Sequence, residues 1–255
     1  MIHFNKLPNP PQVLIDNGVV WTTALMDAVN AYAGYENIPS AEKNELIKNY
    51  KHIDIKNQLF FYEPMKCCFC ECIPSEGGHV EVEHYHPKSL YPKETFEWDN
   101  LLPICRICNG NKSALDTIVT PIVHPVINDP EEYFTYDFLR IIASETAPDV
   151  EMANLTIHET EGLDLNNTRL ILPRSALLAS LHSYENELLR FTEEFNASVQ
   201  KAKKLRMIAH LSSSLDSINT LTDEKSKHAG YCRWYISQSN IIQNAIALVA
   251  IPIDD

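Results

Sequence analysis

Two cysteine pairs, Cys67-x2-Cys70 and Cys105-x2-Cys108, constrain this chain more than any other feature. Each short loop aims two thiolates at one point, and two such loops complete a tetrahedral zinc site. The pairs are further apart than in a simple zinc ribbon, so the segment between them must carry something besides a turn. Cys68 and Cys72 leave other choices open, Cys68 with Cys72 or Cys70 with Cys72; the spacing favours Cys67 and Cys70. Six of the seven cysteines fall in these two clusters. No export signal accompanies them, which argues for metal binding over disulfides. Cys232 stands alone and is expected in a core.

The intervening segment reads His79-Val80-Glu81-Val82-Glu83-His84-Tyr85-His86-Pro87-Lys88-Ser89. Valines alternating with charged residues predict a half-buried strand that Pro87 ends. Glu83 and His84 therefore sit where strand becomes loop, and alternation points them to opposite faces unless the backbone turns there. After Trp98-Asp99-Asn100-Leu101-Leu102-Pro103 and the second cysteine pair, a helix is expected from about Asn109, with Asn109 and Lys112 facing one way. Zinc would fasten that helix start to the strand. Glu83 and Asn109 then offer oxygen ligands to Mg²⁺ or Mn²⁺, His84 can take a proton from an attacking water, and Lys88 and Lys112 are candidate phosphate contacts. His86 is expected on the loop surface, and His79 and His124 have no evident partner.

The set Cys67-x2-Cys70, Glu83-His84-x2-Pro87-Lys88-Ser89, Asn100-Leu101-Leu102 and Cys105-x2-Cys108-Asn109-x2-Lys112 resembles the zinc-stapled HNH (ββα-metal) endonucleases. The resemblance implies that His84 is the general base, Glu83 the acidic metal ligand where many members have Asp, and Asn109 the last ligand where many have His. Asn100 matches the middle Asn, which ties the loop down. Within that family the chain looks most like the HNH subunit of Septu-type anti-phage systems, the PtuB family, found also beside some retrons. Gly162-Leu163-Asp164-Leu165-Asn166 and the long helix after Arg174 are similar to that family's C-terminal half. The implied partners are a nucleic acid, DNA above all, an ABC/SMC-like ATPase of the PtuA type, and in some systems a retron reverse transcriptase with its RNA–DNA.

The expected architecture is α+β: a small ββα-metal HNH module with structural zinc, embedded between mainly helical N- and C-terminal regions. The expected boundaries are 1–63 helical, 64–125 the nuclease module and 126–255 helical with a possible partner-docking surface. In the N-terminal region Thr22 to Tyr32 and Ala41 to Tyr50 are helix-permissive. In the C-terminal region a long helix is predicted from Pro173, with Leu177, Leu181, Tyr184, Leu188, Phe191, Phe195, Val199 and Ala202 on one face. Burial against the chain's own helices is the plain reading of that stripe. Lys201, Lys203, Lys204 and Arg206 form a basic run, more often a solvated face than a nucleic-acid contact.

Thirty-four acidic residues against twenty-one Lys and Arg give a net charge of -13. A chain so acidic does not grip nucleic acid through its bulk electrostatics. A nuclease of this composition is expected to receive its substrate from a partner with a basic groove. The start, MIHFNKLPNPPQVL, lacks the charged-then-apolar layout of a signal peptide, and no apolar run suffices to span a bilayer, so the expected location is cytoplasmic. Two rival functions stand beside the nuclease. One is a zinc-organised adaptor without activity. The other is a zinc nucleobase deaminase, echoed by His79-x-Glu81 and Pro103 with Cys105-x2-Cys108, but a residue intrudes between Pro103 and Cys105 and Cys67 and Cys70 are left without work.

Overall fold

A computed structural model describes residues 1–61, 66–74 and 80–251. The elements follow in the order α1 (Gln12–Ala31), α2 (Ser40–Ile47), α3 (Ile53–Phe61), β1 (Val80–His84), β2 (Leu101–Cys105), α4 (Arg106–Lys112), α5 (Pro130–Tyr133), β3 (Phe134–Asp137), β4 (Arg140–Ala143), α6 (Val150–Ile157), α7 (Thr168–Ala197), α8 (Lys201–Thr222), α9 (Ala229–Gln238) and α10 (Asn240–Val249). The chain divides into two compact units, residues 1–135 with 141–167, and residues 136–140 with 168–255. Among the described residues the fold is mixed: helices with two small two-stranded sheets, β1–β2 and β3–β4.

In the first unit β1 and β2 pair antiparallel, with Val80 opposite Cys105, Glu83 opposite Leu102 and His84 opposite Leu101. An isolated two-stranded ribbon is marginal in water and needs a covered face. Val82 and Leu101 supply it, joining a core with Leu14, Leu25, Ile55, Leu59, Phe96 and Trp98. Most of that core comes from α1 and α3, so the N-terminal helices and the cysteine-bearing ribbon share one apolar interior. Pro103 is tolerated in β2 because the ribbon has no third strand to claim its missing N–H, and its carbonyl accepts the Cys68 N–H at 3.0 Å.

The Pro-broken start is a strap. Phe4 N–H donates to the Pro125 carbonyl at 2.8 Å. The Lys6 ammonium donates to the carbonyls of Trp98 and Leu101 and lies 4.2 Å from the Trp98 ring centroid. The Trp98 indole N–H returns a bond to the Leu7 carbonyl at 2.8 Å. Burial lowers the Lys6 pKa to about 8. Helix α1 begins at Gln12, ten residues before the predicted stretch, as soon as the prolines end.

The Gly162-to-Asn166 segment closes the unit. A Cβ on Gly162 would sit 1.9 Å from the Leu155 carbonyl oxygen, so only glycine fits against the end of α6. The Asn166 amide pairs with both the N–H and the carbonyl of Ile141 at 2.9 Å. Asn111 of α4 donates to the Leu163 carbonyl at 3.0 Å.

The second unit holds α7 to α10. The helix predicted from Pro173 begins at Thr168 instead and carries Pro173 inside it. It also ends at Ala197; Val199 is 97% exposed in the break before α8, and Ala202 belongs to α8. A periodic stripe marks a face but not an interruption of the backbone that carries it. Leu181 and Leu188 are buried, Phe191 stacks on His210 of α8 at 4.8 Å, and Glu187 accepts from Ser214 at 3.2 Å. The middle of the stripe, Leu181 to Phe191, is thus covered by this unit's own helices. Cys232 is wholly buried. Among the described residues no helix is long and apolar enough to cross a membrane.

Candidate functional site

The sulfurs of Cys67, Cys70, Cys105 and Cys108 all lie within 4.8 Å of one another, and all four residues are buried. With zinc–sulfur bonds of about 2.3 Å, the edge of a tetrahedral thiolate site is about 3.8 Å. The Cys70 and Cys105 sulfurs stand 3.8 Å apart. Four buried thiols so placed could hold a zinc ion. The local backbone fits that use: Glu71 adopts a left-handed φ of 61°, its N–H donates to the Cys67 carbonyl at 3.0 Å, and the Cys108 N–H donates to the Cys105 sulfur at 3.4 Å. Sulfur hydrogen bonds, from Cys108 first, hold the Cys105 pKa down at about 3. Cys72, partly exposed, has its sulfur 3.2 Å from that of Cys70 and is not one of the four. Glu71, buried beneath the first pair, is itself paired with Lys66 at 3.3 Å.

The second cysteine pair leads straight into α4, which starts at Arg106, three residues before the expected start at Asn109. Cys105 itself caps the helix through its sulfur, a cap that a reading based on Ser, Thr, Asp and Asn does not look for. Asn109 and Lys112 nevertheless face β1 together. The Asn109 amide N–H donates to Glu81 at 2.5 Å, and the Lys112 ammonium donates to Glu83 at 2.9 Å and to the His84 carbonyl at 2.8 Å. Glu81 and Glu83 therefore share the face of β1 that looks at α4, as residues two apart on a strand must. Lys112 is only 1% exposed and Glu83 7%. Burial raises the Glu83 pKa, and the Lys112 charge works against that rise.

The His84 ring takes the other direction. It is 1% exposed and packs edge-on against Tyr50, centroids 4.6 Å apart. Its Nε2 lies 3.0 Å from the Thr95 carbonyl oxygen. A carbonyl can only accept, so Nε2 carries the hydrogen, and in the neutral ring the bare nitrogen is Nδ1. Nδ1 is buried and has no hydrogen-bond partner among the described residues. Burial first, and then the Lys88 charge, lowers the His84 pKa to about 3. The ring is neutral at physiological pH and its proton acceptor is unengaged.

Asn100 holds the loop that presents Thr95. Its side-chain oxygen accepts the His86 N–H at 2.7 Å, and its amide donates to the carbonyls of His86 and Glu94, each at 3.1 Å. Asn100→Ala removes all three bonds at a site 5% exposed. At about 1 kcal/mol per bond, the expected cost is roughly 3 kcal/mol in urea unfolding. Proteolysis within residues 85–100 should rise in the same variant, and an unfolding curve superimposable on wild type would refute the pinning role.

Lys88 is half-buried with its ammonium 5.2 Å from the Tyr50 ring. His86 lies in the loop with its Nδ1 3.4 Å from the Thr117 hydroxyl. His124, which the sequence leaves without a partner, stacks edge-on with Tyr85 at 4.2 Å and accepts the N–H groups of Val126 and Ile127 at 3.2 Å. Its role is structural. His79 lies outside the described residues. Four thiolates on one zinc ion would leave no open ligand position of the kind a deaminase needs, and Glu81 is turned toward Asn109. Sequence reasoning gave Glu81 only a place in the deaminase reading and gave none to Tyr50 or Thr95, which pack against the His84 ring. Only Glu81 had a local signal, being two residues from Glu83 on an alternating strand.

No protein-family model matches the chain. Over 212 residues it is 30% identical to the Septu protein PtuB of Bacillus thuringiensis, an alignment covering 81% of this chain and 71% of that protein. The chain belongs to the PtuB family. Coverage that broad takes the relationship of this PtuB-family chain well beyond the cysteine clusters and their ribbon. The pattern of glutamates, histidine, asparagines and lysine described above is accordingly the candidate centre of a PtuB-family protein.

Proposed function

We propose that the chain is the nuclease subunit of a Septu-type anti-phage system, an HNH enzyme that hydrolyses phosphodiester bonds, of DNA above all, with a divalent cation. One observation carries the reading: a neutral, buried His84 with an unengaged Nδ1 stands at the end of a strand whose next face brings Glu81 and Glu83 against Asn109 and Lys112 of a thiol-stapled helix. The donor set suits Mg²⁺ or Mn²⁺. Glu81 and Glu83 would supply carboxylate oxygens, and the Asn109 side-chain oxygen would be a further hard ligand. When bound there, the ion would neutralise charge developing on the phosphate and its leaving oxygen.

The chain's own residues do the rest. His84 Nδ1 takes the proton of the attacking water as general base. Thr95 fixes the tautomer by accepting from Nε2, and Asn100, bonded to the adjacent Glu94 carbonyl, holds Thr95 in place. Zinc in the four-thiolate site would fasten α4 to the ribbon and so fix Asn109 and Lys112 relative to Glu83. Lys88 and Lys112 supply positive charge near the reacting phosphate. The overall charge of -13 leaves substrate delivery to a partner, which we take to be an ABC/SMC-like ATPase, joined in retron-linked systems by a reverse transcriptase. The test is cleavage of plasmid and single-stranded DNA by the chain together with that ATPase, with and without Mg²⁺ or Mn²⁺. Metal-dependent cleavage is expected, and none under any of these conditions would refute the reading.

A further inference from the structure

Among the described residues, three lysines from different parts of the sequence converge on His84. Lys112 comes from α4, Lys88 from the loop after β1, and Lys51 from a short helical turn, Lys48–Lys51, just before α3. The charges of all three act on the His84 ring. Only Lys112 has a carboxylate of its own, Glu83 at 2.9 Å. Lys51 and Lys88 make no ion pair and donate no hydrogen bond among the described residues; each ammonium lies 5.2 Å from the centroid of the Tyr50 ring. That ring is 7% exposed and braced edge-on against His84. Lys51 is exposed and Lys88 half-buried, so the pair opens to solvent on one side while its base is fixed.

In a chain of net charge -13, two lysines brought to one ring without an ion pair are the exception to its acidic surface. Glu83 acts on Lys88 only from beyond ion-pair distance, so two ammonium groups held on one aromatic ring, itself braced on His84, are arranged for an anion that comes from outside. We propose that Lys51 and Lys88, set by Tyr50, form a clamp for a backbone phosphate of the nucleic-acid strand at His84. Tyr50 is a positioning residue: it touches the histidine and carries both lysines. The inference rests on the nuclease reading for the identity of the anion. Its consequence is that the site is completed by the N-terminal helical region, outside the segment between the cysteine pairs. Two phosphate contacts are too few to capture a duplex, which agrees with a subunit that needs its substrate delivered.

The experiment measures binding of a short fluorescent single-stranded DNA to the full chain with its ATPase partner, in buffer free of Mg²⁺ and Mn²⁺ so that nothing is cleaved while any structural zinc stays in place, across a salt series. Each lysine–phosphate contact on a single strand contributes about 0.7 to the slope of log K against log salt. The Lys51→Ala/Lys88→Ala variant is expected to bind about tenfold more weakly, with a slope shallower by about 1.4. Lys51→Arg/Lys88→Arg should keep the wild-type slope, which separates lost charge from lost folding. An unchanged slope in the alanine variant, or no binding by wild type, overturns the clamp. Cleavage by wild type with such an unchanged slope would reject the clamp and keep the nuclease. A clamp-dependent slope with no cleavage under any metal would reject the nuclease and keep an anion site.

Discussion

Cys70→Ser or Cys105→Ser is expected to reduce zinc from one equivalent per chain to a small fraction of that, and to unfold the β1–β2 ribbon. Structural zinc in small thiolate sites contributes on the order of 10 kcal/mol of apparent folding free energy. Here that energy would add to the β1–β2 ladder, the Cys68–Pro103 bond and the Lys112–Glu83 pair in joining residues 66–74, the end of β2 and the start of the seven-residue α4. Phe69, Leu102 and Ile104 are buried at the cysteine end, but the ribbon there is only two strands wide and its loops are short. Loss of metal should therefore lower the melting temperature by more than about 10 °C, since 1 kcal/mol corresponds to about 2–4 °C in a domain of this size. Cys72→Ser is the control. Its sulfur is close to that of Cys70 but outside the quartet, so the zinc content should stay at one equivalent. Equal zinc loss in Cys72→Ser and Cys70→Ser would show that the quartet has been chosen wrongly.

Lys112→Met is expected to have the second largest effect. The substitution keeps an unbranched apolar stem in a site 1% exposed but removes the charge that Glu83 faces. Breaking a buried ion pair from one side costs about 3–5 kcal/mol, because the remaining carboxylate is stranded. The His84 carbonyl also loses its donor. The variant should be destabilised by about that much in urea, and Mn²⁺ should return more stability to it than to wild type. The differential arises because a cation bound by Glu81 and Glu83 would replace the missing ammonium. A Mn²⁺ response equal to that of wild type would count against Glu83 as a cation ligand.

Much of this centre was legible in the sequence, because its parts obey local rules. The cysteine spacing names the four clustered thiols, and the valine alternation foretells β1. The spacing of Asn109 and Lys112 places them together, and they meet Glu81 and Glu83 across the ribbon. What was not legible depends on tertiary packing. Tyr50 and Lys51 lie more than thirty residues before His84, and nothing local announces that a helical turn folds onto that ring. The bond between Asn109 and Glu81 was hidden because Glu83, adjacent to the histidine, drew the chemical attention. The early start of α4 was missed because its cap is a cysteine sulfur, and the break after Ala197 because Ser198 to Gln200 keeps the apolar period while the backbone leaves it.

The central claim is that His84 is the base of a phosphodiesterase centre. The most direct measurement is the rate of DNA cleavage by His84→Ala, in complex with the proposed ATPase partner and with Mg²⁺ or Mn²⁺ present, beside a pull-down that reports assembly. A lost general base lowers the rate by about 10²–10⁴-fold. A loss in that range is expected, with zinc content and complex formation as in wild type. Cleavage at the wild-type rate by a fully assembled His84→Ala complex would contradict the claim.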